Sequence, residues 1–141
     1  MLPISPALAN GGGGNLKARL RGSNEVPNAG DPDGKGSAVI RLRPTQGKIC
    51  YKYEVEKVAT LTAAHIHTGS VGIPGPVAVA LPLNMIDVND DDPTEAVFGG
   101  CVNVAAGLIG AIRANPANYY VNVHNASFPA GALRGQLHVT D

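Results

Sequence analysis

Apolar and polar residues alternate with period two along much of this chain, the mark of strands with one buried face. Leu16, Ala18 and Leu20 alternate with Lys17, Arg19 and Arg21, and Ala38, Ile40 and Leu42 share a face in the next run. The clearest stretch is KICYKYEVE, which predicts Ile49, Tyr51, Tyr53 and Val55 facing in and Lys48, Cys50, Lys52 and Glu54 facing out. Val77, Val79 and Leu81 form another inward set, and YYVNVH and ALRGQLHV two more strands. Residues 103–116 change period. Val104, Leu108, Ile109 and Ile112 fall three and four apart before Pro116, which predicts a short helix that Gly107 and Gly110 weaken. About seven short strands with one connecting helix predict an all-β, antiparallel Greek-key sandwich or barrel. Residues 84–100 read as the longest loop. Its Asp87, Asp90, Asp91, Asp92 and Glu95 read as a solvated acidic surface, because the ligand spacing and central Gly of an EF-hand are missing.

Composition supports this picture and removes some partners. The 18 Gly and 11 Pro suit many turns, and 141 residues suit one domain, placed at 15–141. Lys and Arg number 11 and so do Asp and Glu, so no overall field attracts nucleic acid or an anionic membrane. No run approaches the ~18 apolar residues of a membrane span. Residues 1–14 read as a disordered arm or the remnant of a signal peptide. MLPISPALAN lacks a basic n-region, but ALA at 7–9 resembles a cleavage site, and GGGGN reads as linker. The two cysteines, Cys50 and Cys101, include no CxxC and no third thiol, which argues against structural zinc. In an exported protein they read as a disulfide worth about 4 kcal/mol by loop entropy; otherwise they are two unpaired buried thiols. Asn125-Ala126-Ser127 is a glycosylation sequon, with meaning only in a secreted eukaryotic protein.

The candidate chemistry lies in AHIHTGSVGIPGPV. Residues two apart on a strand point to one side, about 6.6 Å apart, so Ile66 enters the core while His65 and His67 share the opposite face. Two imidazoles so placed can tilt toward one copper or zinc ion. A third candidate is His124, because Val121 and Val123 should face in and leave Tyr120, Asn122 and His124 facing out. A hairpin through NASFPAG puts His124 roughly opposite Ala132 and Asn122 roughly opposite Arg134, making Arg134 a neighbour that steers an anion or pairs with an acid. His138 lies about 20 Å further along that strand and is a poor fourth ligand. The alternative is that these polar strand ends only hydrogen-bond loop backbone.

The segments LRGSNEVPNAG, KICYKYEVE, AHIHTGSVGIPGPVAVAL and NPANYYVNVHNASFPAGALRGQL, in this order over about residues 16–139, resemble the CHRD domain family, named from the secreted regulator chordin and also found in exported bacterial proteins. That resemblance implies an immunoglobulin-like fold and a distant similarity to copper/zinc superoxide dismutase. His65, His67 and His124 then match the three copper-facing histidines of the dismutases. TGSVGIPGPV, however, supplies none of their bridging or zinc ligands, which leaves room for one ion and not two. Three functions follow as expectations. The leading one is a secreted or periplasmic binding module with a three-histidine site for copper, ahead of zinc, on the outer face. The others are a purely structural or extracellular protein-interaction domain, and a copper-only dismutase-like enzyme.

Overall fold

A computed structural model describes residues 14–140; the arm or signal remnant expected at the start lies outside them, except for Gly14. Ten strands form: β1 (Gly14–Arg21), β2 (Lys35–Arg43), β3 (Lys48–Glu56), β4 (Leu61–Thr68), β5 (Val77–Ala80), β6 (Met85–Asn89), β7 (Asp92–Asn103), β8 (Tyr119–Asn125), β9 (Leu133–Gln136) and β10 (His138–Val139). Among the described residues one α-helix, α1 (Ala106–Ala114), joins β7 to β8. The strands pair in one sheet of order β5-β4-β8-β9-β1-β2-β3-β7-β6, with β10 on β1, and every pairing is antiparallel.

The alternating residues fix which face closes inward. Ala38 pairs with Ala18 on one side and Tyr53 on the other, and Ile40 with Leu16 and Tyr51, so the first three strands present a continuous apolar surface. Val79 of β5 and Phe98 of β7 join the same core although they lie near opposite ends of the strand order, so the sheet curls onto itself. Tyrosine hydroxyls fasten the link between β5 and β6 to β3: Tyr53 donates to the carbonyls of Leu81 and Pro82 at 3.2 Å each, and Tyr51 to Pro82 at 2.8 Å. On the opposite face Cys50 and Cys101 pair directly across β3 and β7 and form a disulfide.

Several expectations change. The acidic segment is not a loop. It is a hairpin of β6 and the first half of β7, with Asn89 paired to Asp92 across a two-residue turn. Asn89 accepts from the Asp91 N–H at 2.9 Å, and Asp92 from the Thr94 N–H at 3.1 Å, so these side chains organise the turn. The helix is shorter than 103–116 because β7 runs on through Val102 and Asn103, held by Ile49 and Lys48. Val77 does not face in; it is 53% exposed. A bulge puts His67 opposite Val77 while Ile66 stays opposite Val79, so the extra residue turns Val77 outward. The last predicted strand divides into β9 and β10, which pair with different stretches of β1.

Candidate metal centre

β4, β8 and β9 lie side by side, and their outward rows assemble the site. His65 pairs with Asn122, which pairs with Arg134; one row along, His67 pairs with Tyr120, which pairs with Gln136. Ile66, Val121 and Val123 point the other way, fully buried in the core. The expected orientation is therefore correct, but this outer face is not a solvated one. Asn122 is only 1% exposed and Arg134 only 2%. Two coverings account for this. The stretch after β1 brings Asn24 onto the Arg134 carbonyl at 3.0 Å and the Glu25 carboxylate onto the Asn122 amide. On the other side, residues 69–76 fold back as a strap.

Backbone bonds set the strap's path. Thr68 N–H donates to Pro76 at 3.0 Å, Gly69 N–H to Asn118 at 2.7 Å and Ile73 N–H to Ser70 at 3.0 Å. Gly75 lies so close to the Thr68 carbonyl that a Cβ there would collide with it. Its peptide then holds two rings at once: the carbonyl accepts from His67 Nδ1 at 2.9 Å and the N–H donates to the Tyr120 hydroxyl at 3.1 Å. Arg134 Nη2 donates to the Ser70 carbonyl at 2.8 Å, and Gln136 Nε2 to that of Gly69 at 3.0 Å.

These bonds decide the histidine tautomers. A carbonyl only accepts, so His67 carries its proton on Nδ1, and His124, bonded through Nδ1 to Pro129 at 3.0 Å, does likewise. His124 Nε2 is then the acceptor of a hydrogen bond from His65 Nδ1, and His67 Nε2 keeps its lone pair. His124 Nε2 lies 3.3 Å from His65 Nδ1. His67 Nε2 is buried and has no hydrogen-bond partner, alone among the described side-chain polar atoms. The three residues offer one donor atom each within 4.8 Å of one another. An ion with bonds of about 2 Å needs donors no more than about 4 Å apart, so the widest pair must close by under about 1 Å. The residues fit a metal ion to that tolerance.

Electrostatics favour the ligand form of two rings. Burial pulls His65 below its usual pKa, helped by the neighbouring His124 and His67. Burial lowers His67 too, against the raising pull of its Gly75 bond and of the Asn122 amide. Neutral imidazole is the form that binds metal. Behind His67 stands a layered stack: Tyr120 lies parallel to its ring at 4.8 Å, and the Arg134 guanidinium carbon sits 3.4 Å from the Tyr120 centroid. Glu25 completes the surroundings, with burial raising its carboxyl to about 7 despite Arg134 and Asn122.

The structure thus brings His65, His67 and His124 together, with Asn122 and Arg134 in the layer behind them, and leaves His138 exposed on β10, outside the group. The sequence reading missed Glu25, the stacking role of Tyr120 and the Gly75 peptide. Glu25 lies within LRGSNEVPNAG, but no periodicity connects it with β8. Asn125 of the sequon is 1% exposed, and its side-chain Oδ1 accepts from Phe128 N–H at 2.9 Å. No helix among the described residues is long and apolar enough to cross a membrane. No curated protein and no solved structure matches the chain. The family model described as CHRD domain matches residues 16–137, nearly the whole folded part, and the chain belongs to that family.

Proposed function

We propose that this CHRD domain is a secreted or periplasmic binding module that holds one transition-metal ion, copper ahead of zinc, on His65, His67 and His124. One observation carries the reading: His67 Nε2 is a buried lone pair with no partner, aimed into a group with two other imidazole donors. A buried acceptor left unsatisfied costs roughly 1–3 kcal/mol, which a coordinate bond removes. The second nitrogens of His67 and His124 are tied to carbonyls, the usual way a ligating imidazole is oriented. Copper stands first because imidazole suits it and its divalent form outranks zinc in affinity. The disulfide suits an oxidising compartment. Binding is favoured over dismutase-like catalysis because Arg134 lies behind Tyr120 instead of facing an incoming anion.

The bonds from His67 to Gly75 and from His124 to Pro129 also support a second reading, an extracellular interaction domain whose histidines only secure loops. Elemental analysis and copper titration of untagged protein separate the two. The metal reading expects one equivalent in the wild type and loss of uptake in His67→Ala. An untagged protein that binds neither copper nor zinc, or binds them equally well without the histidines, overturns it.

A further inference from the structure

The candidate donors are three imidazoles, which bind a metal ion in their uncharged form, and a buried guanidinium stands beside them. His67 comes from β4 and Arg134 from β9, the two strands that flank β8, so the Tyr120 ring stands between imidazole and guanidinium. Arg134 is fixed there by bonds to Ser70 and Gln136. Glu25 is the one buried carboxylate among the described residues, and it reaches the site through the Asn122 amide.

Resting on the metal-binding reading above, we propose that the site selects its ion by charge: the Arg134–Tyr120–His67 stack favours monovalent copper over Cu(II) and Zn(II). Imidazole accepts copper in either state, so the donors alone do not choose. The fixed cation does. It opposes a divalent ion twice as strongly as a monovalent one, and burial of the guanidinium limits screening by salt. At roughly 10 Å and an effective dielectric constant of about 20–40, one unit of extra ionic charge costs about a 5- to 15-fold loss of affinity. Glu25 acts in the opposite sense when ionised, and the distribution of these two charges sets the preference.

Competition titrations of the untagged chain at pH 8 test this, with a Cu(I) chelator under anaerobic reductant and with Cu(II) and Zn(II) chelators in parallel. Arg134→Met is expected to raise divalent affinity relative to Cu(I) by about 5- to 15-fold. Arg134→Lys, which returns the charge, is expected to restore the wild-type order. Glu25→Gln removes the opposing charge and is expected to shift the ratio further toward Cu(I); it decides the matter if Arg134→Met does not fold. Histidine-dependent binding with ratios unchanged in the folded variants overturns charge selection alone. Absence of any binding by the wild type overturns the metal site and this inference with it.

Discussion

Glu25→Gln provides a test of the covered face that needs no metal. The Glu25 carboxyl titrates near 4.5 in an unfolded chain, and burial raises it to about 7 in the fold, outweighing the lowering pull of Arg134 and of the Asn122 amide. The native state therefore holds this proton over a range where the unfolded chain has released it. Its stabilising contribution is complete below about pH 4.5, falls as pH rises, and is gone above about pH 7. Each pKa unit is worth about 1.4 kcal/mol, which sets a ceiling of about 3 kcal/mol; residual contact with water reduces this to roughly 2 kcal/mol. Glutamine reproduces the protonated shape, keeps an oxygen for the Asn122 amide and never ionises. Urea unfolding at pH 5 should give nearly equal stabilities, while at pH 8 the variant should be more stable than wild type by roughly 2 kcal/mol. Parallel stability curves for the two proteins between pH 5 and 8, or a variant weaker at pH 8, would show that Glu25 is not a desolvated carboxyl.

Three other outcomes follow from the same structure. Replacing Cys50 and Cys101 together by Ala should cost up to about 4 kcal/mol in urea unfolding, since the bridge closes 51 residues of sequence; a cost under about 1 kcal/mol would mean that β3 and β7 already associate in the unfolded chain. Gly75→Ala should push the strap off Thr68 and remove the partner of His67 Nδ1, weakening copper by about 10- to 100-fold in a competition titration while the disulfide and core remain intact. Copper at 100 times its dissociation constant should stabilise the wild type by about 2.7 kcal/mol and leave a His67→Ala variant unmoved, as read by thermal or urea unfolding.

The core strands were legible because their inward residues alternate without interruption: Ile49, Tyr51, Tyr53 and Val55 are all buried as the pattern requires. The histidine face was legible for the same reason, since Ile66, Val121 and Val123 mark the core side of two strands and leave the histidines on the other. What failed was information carried by pairing. β6 is an edge strand whose residues are mostly exposed, so it shows no alternation, and its acidic turn looks like loop sequence. The bulge beside His67 changes the phase of β5 through one extra residue that no local pattern announces. The cover over the face was equally hidden. Asn24 and Glu25 are far from β8 and β9 in sequence and bond to them through single side chains, leaving no period to read.

That cover changes what two histidines on a strand can do. On a bare polar face, solvent would hydrogen-bond each imidazole, and a metal ion would have to displace that water and order both rings. Here the strap's Gly75 carbonyl and the Pro129 carbonyl have already fixed two ring orientations, and Tyr120 holds the plane of His67. The conformational cost of arranging ligands is met during folding and does not recur on binding. Glycine at 75 permits that economy, because only a residue without Cβ lets the strap return close to Thr68 and place its peptide between His67 and Tyr120. The strap offers the site peptide groups and no ligating side chain, since residues 69–76 contain no His, Cys, Asp or Glu. Its role is to position the ring of His67, beside two other imidazoles that each offer a donor atom within 4.8 Å of the others.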